Sequence, residues 1–329
     1  MNHANISVFV PHLGCPNMCS FCDQRSITGQ CEPPSAFDVK QAVETALQSP
    51  KFDSCAAEIA FFGGSFTAID RDYMCELLSA AYGYVKSGEV KGIRISTRPD
   101  TVDREVLGLL KTYGVTAIEL GAQSLCDDVL KFNKRGHTAE QVQTASELIK
   151  SCGFELGLQM MTGLFGSDEK KDRYTAEKIV ALHPQTVRIY PTVTLSGTLL
   201  AELYKEGKYI PPSLDETVLL CADLKQLFES NGIRVIRLGL HTVDETRIVA
   251  GPWHPSFGEL CDSRIILKKI HSQLSEKGRY VISVNPKSLS KTVGQKRANI
   301  ETLISQGYIC RVKADSSVAV GEVEIRKDE

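Results

Sequence analysis

The chain has 329 residues, of which 42% are hydrophobic, and a formal net charge of -2 at pH 7. This length can bury a full core and exceeds the usual ~100–200 residues of one domain, which predicts a large domain with a smaller one. Eleven cysteines, an odd number in a long chain, argue against a secreted disulfide framework. No stretch approaches the ~20 apolar residues of a membrane span, and the first residues lack a basic signal region. We therefore expect a cytoplasmic protein without a membrane partner.

Short β-type runs alternate with amphipathic helical segments through residue 190. The runs are Ile6–Val10, Glu58–Phe62, Ile93–Thr97, Ala117–Leu120, Glu155–Met161 and Val187–Tyr190. Such alternation is typical of βα units with a parallel sheet, which right-handed crossovers curl toward a barrel. The pattern predicts an α/β fold with six such units. A helix over Leu214–Glu229, with Asp215 as its candidate cap, leads into a further strand at Ile233–Leu238.

After Gly251–Pro255 the pattern changes. It predicts a helix near Arg264–Glu276, a strand at Arg279–Val284, a helix near Thr292–Ser305 and a closing hairpin around Tyr308–Val323. We therefore expect a barrel over residues 1–250 and a small α+β domain over residues 251–329. Residues 262–313 contain eleven Lys or Arg and three acidic residues. This basic segment is either a phosphate-facing patch or a solvated helix face.

Three cysteines, Cys15, Cys19 and Cys22, follow the first predicted strand in a C-x3-C-x2-C run. Cysteine thiolates are the usual ligands of iron–sulfur clusters, and a four-iron cluster has four irons to be ligated. Three local ligands leave one iron open to a substrate or cofactor, as in other catalytic metal sites. The alternative is a zinc site, for which Cys31 or His12 could supply a fourth ligand.

Further candidate residues follow the later strands. The second strand ends in Gly63-Gly64-Ser65, where paired glycines either let the backbone approach a ligand or form a tight turn. Thr97, Gln123 and Gln159 lie at the ends of the third, fourth and fifth strands, and Arg135 follows the fourth. Because catalytic groups of parallel barrels cluster on the loops after the strands, we expect these residues to lie near the cysteines.

The cysteine run, with the aromatic Phe21 just before its last cysteine, resembles the cluster loop of radical S-adenosylmethionine (radical SAM) enzymes. Other strings resemble, in the same order, the radical SAM core of the elongator-complex catalytic subunit. They include Ser96–Asp100, Asn133–Thr138 and Tyr204–Tyr209. A looser likeness extends to oxygen-independent coproporphyrinogen oxidase. The resemblance covers about residues 6 to 240, and it implies a partial (β/α)6 TIM-type barrel.

The resemblance implies a [4Fe-4S] cluster held by Cys15, Cys19 and Cys22, with SAM chelating the open iron. One electron then cleaves the sulfonium to a 5'-deoxyadenosyl radical. It also implies SAM contacts from Phe21, Gly63, Gly64, Ser65, Thr97, Gln123, Arg135 and Gln159. A guanidinium fork suits a carboxylate, so Arg135 would bind that group of SAM. The alternative for Arg135 is a surface salt bridge with Asp127 or Asp128.

As a radical SAM enzyme, the protein would need an electron donor such as flavodoxin or ferredoxin. The elongator likeness favours tRNA as substrate, with the basic C-terminal segment on its phosphates. Acetyl transfer is not expected, because the chain shows no acetyltransferase-like segment. Met161–Phe165 departs from the Pro-containing loop of the elongator core, which leaves substrate contacts there open. Three alternatives remain at this point: a small organic or tetrapyrrole-like substrate, a non-catalytic iron–sulfur redox sensor, and a zinc-dependent RNA-binding module.

Overall fold

The computed structural model of the chain describes residues 4–10, 13–15, 18–22, 32–49, 52–53, 56–240 and 243–328. The strands of this part are β1 (Ala4–Val10), β2 (Ala57–Gly63), β3 (Gly92–Thr97), β4 (Val115–Gln123), β5 (Glu155–Thr162), β6 (Thr186–Pro191), β7 (Thr194–Leu195), β8 (Arg234–Leu238), β9 (Ile248–Ala250), β10 (Gly278–Val284), β11 (Tyr308–Ala314) and β12 (Val323–Lys327). Its α-helices are α1 (Ala36–Leu47), α2 (Arg71–Lys86), α3 (Arg104–Thr112), α4 (Asp127–Phe132), α5 (Ala139–Ser151), α6 (Glu169–Ala181), α7 (Leu199–Lys205), α8 (Leu214–Ser230), α9 (Phe257–Gln273), α10 (Leu289–Val293) and α11 (Ala298–Ser305).

Seven parallel strands form the main sheet, in the order β1-β2-β3-β4-β5-β6-β8. Each strand pairs in parallel with its neighbours, and helices connect the successive strands. The sheet curls into an open half-barrel, which confirms the predicted α/β partial barrel. It has one strand more than the six predicted units, because β8 adds to β6 and extends the same sheet. The carboxyl ends of all seven strands therefore lie at the same edge of the sheet.

Local sequence signals place the helix starts. Ser213 caps α8: its hydroxyl accepts a hydrogen bond from the Glu216 backbone N–H, and the Glu216 carboxylate accepts from the Ser213 backbone N–H. This capping box makes Asp215 a first-turn residue, so its prediction as the cap is wrong. Thr138 and Gln141 form the same arrangement at the start of α5.

The main apolar core lies between the sheet and its helices. Ile93 and Ile95 of β3, Leu78 of α2, Leu110 of α3 and Ile149 of α5 are all fully buried there. Side chains alternate along a strand, so Arg94, between Ile93 and Ile95, points to the opposite, lumen side of the sheet. The two sides of β3 thus face different environments.

A buried ionic network fills part of the lumen. Arg94 is 1% exposed; its Nε donates to Glu58 at 2.8 Å and its Nη2 to Glu155 at 2.9 Å. Its Nη1 donates to Glu119 at 3.4 Å. Arg188 donates to the same Glu119 through Nε and Nη2, at 2.6 and 3.0 Å. A buried charge without a partner is costly, so this network ties strands β2 to β6 to one another.

The C-terminal sheet has the order β11-β10-β12. β10 is parallel to β11 and antiparallel to β12. The predicted hairpin is therefore wrong: α10 and α11 return the chain between β10 and β11, so that β11 and β12 lie on opposite sides of β10. The helix predicted near Thr292–Ser305 is two helices, separated by a turn in which Lys296 and Arg297 have φ of 51° and 66°. The helix predicted at Arg264 begins earlier, at Phe257, and ends at Gln273.

Helix α9 connects the two cores. Phe257 and Cys261 in its first half belong to the main core, whereas Ile266, Leu267 and Ile270 belong to a second core beneath the small sheet. The domain boundary at residue 250 stays a prediction. Within the described ranges, no helix is long and apolar enough to cross a membrane. The cytoplasmic location also stays a prediction.

We predict that Arg94→Met lowers the free energy of unfolding by about 3–5 kcal/mol, since it removes the buried cation that Glu58, Glu119 and Glu155 share. Chemical denaturation measures this change. Arg234→Met is the matched control, because Arg234 is 60% exposed and lies 3.7 Å from the same Glu155. That control should cost at most about 1 kcal/mol. Equal effects of the two variants would show that the lumen network does not stabilise the barrel.

Candidate functional site

The three cysteines lie in the loop after β1, at the carboxyl edge of the main sheet. Cys15 is exposed, and Cys19 and Cys22 are half-buried. The Cys22 backbone N–H donates to the Cys19 carbonyl at 3.1 Å. This puts the three thiols of the C-x3-C-x2-C run on one short loop, two of them joined by a turn.

Ser20 anchors the part of this cluster loop that contains Cys19 and Cys22. Its hydroxyl donates to Asn133 Oδ1 at 2.6 Å, its N–H donates to the Asn133 carbonyl at 3.2 Å, and its carbonyl accepts from Leu200 at 2.8 Å. Ser20 and Asn133 are both fully buried. Sequence reasoning did not select either residue as a site residue, because a lone Ser and a lone Asn give no local signal.

Glycines allow the start of the cluster loop to contact the loop after β2. A Cβ at Gly64 would lie 2.3 Å from the Leu13 carbonyl oxygen, and one at Gly14 would lie 2.3 Å from the Ser65 carbonyl oxygen. The backbones of the cluster loop and of the loop after β2 thus touch directly, and Ser65 N–H donates to the Leu13 carbonyl at 3.2 Å. Gly63 has a φ of 116°, which other residues rarely adopt. The pair Gly63-Gly64 is therefore required for close approach, beyond forming a turn.

A group of hydroxyls joins the second and third strand ends. Ser65 Oγ lies 2.9 Å from Thr97 Oγ1, and Thr67 Oγ1 lies 2.6 Å from the same atom. Thr101 Oγ1 lies 2.8 Å from Thr67 Oγ1. The predicted residues Ser65 and Thr97 are thus in direct contact, and Thr67 and Thr101 are additions that sequence reasoning missed.

Gln123 and Arg135 meet above Gly121 of β4. A Cβ at Gly121 would lie 2.9 Å from Gln123 Nε2 and 3.3 Å from Arg135 Nη2. Arg135 Nη2 donates to the Gly121 carbonyl at 2.6 Å, and Nη1 donates to Cys19 Sγ at 3.1 Å. Asp127 and Asp128 take other partners, so the surface salt bridge considered for Arg135 is excluded.

Two polar atoms at this point are buried without a partner in the described part of the chain: Gln123 Oε1 and Arg135 Nε. Gln123 also has a φ of 63°, an uncommon backbone conformation for a residue other than glycine. A buried acceptor and a buried donor left unpaired are costly. Together they form a place where a ligand with both donor and acceptor groups would fit.

Charged neighbours act on the thiols. Burial and the nearby Cys19 raise the pKa of Cys15, while Arg98 and Arg135 act in the opposite direction. Metal coordination deprotonates a thiol outright, and the two arginines favour the resulting negative charge. Burial, and then Arg135, lower the pKa of His137 to about 4, so His137 is neutral and donates to the Ala122 carbonyl.

The two remaining predicted site residues, Phe21 and Gln159, have different surroundings. Phe21 packs against a small apolar cluster made of Val129 on α4, Met161 near the end of β5 and Leu164 just after it. Gln159 is level with Gly121 on the next strand, and its Nε2 donates to Glu119 at 3.2 Å. Gln159 is thus held by the lumen network.

The loop after β5 has its own buried anchor. Asp172 Oδ2 accepts from the Gly163 N–H at 2.9 Å, and Oδ1 accepts from Ser167 Oγ at 2.6 Å. Burial raises the pKa of Asp172 to about 6. Asp172 thus holds both ends of the loop 163–167, a role that could not be predicted from the sequence.

Two family models match the sequence. The Radical SAM superfamily model matches residues 9–179, more than half of the chain, and the Radical SAM C-terminal domain model matches residues 184–266. The chain belongs to the radical SAM superfamily. It is 27% identical over 255 residues to a tRNA uridine(34) acetyltransferase of Dehalococcoides mccartyi, covering 68% of this chain and 56% of that protein. It is 28% identical over 295 residues to Elongator complex protein 3 of Dictyostelium discoideum, covering 78% and 52%.

Among solved structures, archaeal Elp3 of Methanocaldococcus infernus, lacking its first 46 residues, has a TM-score of 0.66 and 23% identity. This match covers 80% of our chain and 63% of that one. The predicted resemblance to the elongator core is confirmed, and this radical SAM chain spans about half the length of the curated relatives cited here. The family implies a [4Fe-4S] cluster and SAM.

The donor set suits such a cluster. In the described ranges, no three His, Cys, Asp or Glu side chains are close enough to hold one metal ion. A four-iron cluster takes each thiolate on a different iron, so the three free cysteines of one loop provide three of its ligands. The residues considered as a fourth zinc ligand, Cys31 and His12, lie outside the described residues. The roles of the eight proposed SAM contacts stay predictions.

We predict that Arg135→Lys weakens SAM binding about tenfold or more. A lysine keeps the charge but cannot reach both Cys19 and Gly121 with a planar fork, and a charged hydrogen bond contributes about 1.5–3 kcal/mol. Calorimetric titration of anaerobic protein measures the affinity. Arg104→Lys, an exposed arginine at the start of α3, is the control and should leave the affinity unchanged. The same SAM affinity in Arg135→Lys would remove Arg135 from the binding site.

Proposed function

We propose that this radical SAM enzyme holds its cluster through Cys15, Cys19 and Cys22, and binds SAM against the ends of β2 to β5. The contact between Arg135 and Cys19 carries the proposal. It joins a buried cation to one of the three thiols, directly beside the unpaired Gln123 Oε1. A ligand bearing an ammonium and a carboxylate group would satisfy both Gln123 and Arg135.

The glycine pair and the hydroxyls complete this site. Gly63-Gly64 lets the loop after β2 pack directly on the cluster loop, and the Gly64 N–H donates to the Val10 carbonyl at 2.8 Å. Ser65 and Thr97 fix each other at 2.9 Å, which holds the second and third strand ends at a constant separation. These residues orient the methionyl part of SAM; none of them needs to transfer a proton.

Reductive cleavage of the SAM sulfonium by one electron, followed by abstraction of a hydrogen atom from the substrate, is the chemistry that the bound groups supply. The protein's own side chains keep water away from this reaction. Arg188 is held by Glu119 and lies over the Phe62 ring at 5.0 Å, and Tyr190 is on the same face of β6. These side chains close the lumen beneath the site and exclude water from it. An electron donor such as flavodoxin or ferredoxin would supply the electron.

We further propose RNA, and specifically tRNA, as the substrate class. The support is the naming of the relatives, several of which are called tRNA uridine(34) acetyltransferases, together with the basic C-terminal segment. A target base would be flipped toward the carboxyl edge of the sheet, where the cysteine loop lies.

The test is SAM cleavage by anaerobically reconstituted protein with dithionite as reductant. We expect 5'-deoxyadenosine in the wild type and a severalfold higher rate with total tRNA. Cys19→Ala should abolish the product, because it removes a cluster ligand. Cys75→Ala, on helix α2 away from the loop, is the matched control and should retain the wild-type rate.

Two results would contradict the proposal. No 5'-deoxyadenosine under any condition would exclude the radical reaction and favour a redox sensor. Stimulation by a small-molecule fraction of cell extract, but not by tRNA, would exclude RNA as the substrate.

A further inference from the structure

Two groups of basic residues in the C-terminal module differ in their partners. The first group, the lysines of helices α9 and α10, is paired with acids. Lys268 bonds Asp223, Lys291 bonds Asp262 at 2.5 Å, and Lys269 bonds Glu322 at 2.7 Å. Asp223 lies on α8, so the Lys268 pair attaches the small module to the barrel. These cations are already neutralised within the fold.

The second group lies on one face of the small sheet. The strand registers put Arg311 opposite Val281, Val281 opposite Arg326, and Lys313 opposite Ser283. Residues in register point to the same side, and Arg279 follows two positions before Val281 on that side. Arg279, Arg311, Lys313 and Arg326 therefore share one face, which we call the basic sheet face.

The opposite face of this sheet is covered. Ile282, Val284 and Val323 pack there against Leu267 and Leu303 of the helices. The basic sheet face has no such cover: Arg279, Arg311, Lys313 and Arg326 are all exposed, and Ile309 beside them is 58% exposed. Val281 is buried between the two arginines, as long side chains commonly cover an apolar neighbour with their stems.

The four cations form no ion pair with any carboxylate in the described ranges. The acids near this side are Glu324, opposite Ser283, Asp328, whose N–H donates to the Arg279 carbonyl, and Asp315, which interacts electrostatically with Lys313. The face thus keeps a positive excess. Neighbouring strands are about 4.8 Å apart and alternate residues about 6.7 Å apart, so the cations form a compact two-dimensional array.

We propose that the basic sheet face binds the phosphate backbone of the RNA substrate; this rests on the proposed function. Three of its four cations are arginines, whose forked donors match phosphate oxygens. A flat sheet with exposed cations and one exposed apolar residue suits an extended polyanion better than a single small anion, for which it offers no pocket. Phosphate contacts of this kind position the substrate without reading its sequence.

The test is the affinity for fluorescently labelled total tRNA, measured by anisotropy over a range of salt concentrations. The full-length triple variant Arg311→Gln/Lys313→Gln/Arg326→Gln should bind at least about tenfold more weakly at 0.1 M salt. Its plot of log K against log salt should be shallower by about 2, because each lost phosphate contact removes about 0.7–0.9. The charge-retaining variant Arg311→Lys/Arg326→Lys should bind more tightly than the triple Gln variant and keep the wild-type salt slope, because it keeps both charges. Circular dichroism and thermal unfolding of the triple Gln variant check that its sheet still folds.

A matched control removes three exposed charges from the barrel helices: Lys40→Gln/Arg104→Gln/Lys170→Gln. It should keep the wild-type affinity and slope. Equal loss in both triple variants would mean that only net charge matters, and would overturn the proposal. Wild-type affinity in the sheet variant would overturn it as well.

Two further outcomes distinguish failure of the sheet proposal from failure of the proposed radical SAM function. Wild-type SAM cleavage without any salt-dependent tRNA binding overturns the sheet proposal and the RNA substrate but leaves the radical function standing. Binding of tRNA without SAM cleavage overturns the radical function and leaves the sheet proposal standing. Vesicles containing phosphatidylserine are the other probe. Loss of vesicle binding in the sheet variant, with tRNA binding intact, would assign the face to a membrane surface instead.

Discussion

The site depends on direct contact between two backbones. Gly14 and Gly64 leave no space for a Cβ where the cluster loop meets the loop after β2, with 2.3 Å to a carbonyl oxygen in each case. This contact places the first cysteine beside Ser65, and the Ser20–Asn133 hydrogen bond places the region around Cys19 beside Arg135. The reactive end of the barrel is thus built from loop-to-loop contacts between consecutive strand ends.

The lumen of the half-barrel beneath the site is polar, because buried charged side chains of opposite sign fill it. Arg94 and Arg188 share Glu119, and Arg94 also holds Glu58 and Glu155. Such a network adds little net stability compared with apolar packing, yet removing one partner is severe. It fixes the strands on which Gln123 and Gln159 lie, and Gln159 is itself bonded to Glu119 of the network.

The strand runs, the half-barrel and the cysteine loop could be predicted from sequence, because β-branched periodicity and cysteine spacing are local signals. The elongator resemblance led to Arg135 and Gln123, which the structure brings together. The ionic network could not be predicted: Arg94 and Glu58 are 36 residues apart, and Ser20 and Asn133 are 113 apart. The hairpin predicted for the small sheet was wrong for the same reason. A local sequence pattern suggests that β11 and β12 pair with each other, and it cannot show that β10 lies between them.

The most direct test of the account is the electron paramagnetic resonance spectrum of reduced, reconstituted protein with and without SAM. The account predicts a [4Fe-4S] signal that changes shape when SAM is added, because SAM binds the iron that the three cysteines leave open. A signal that SAM does not alter, or a full signal in the Cys15→Ala variant, would contradict it.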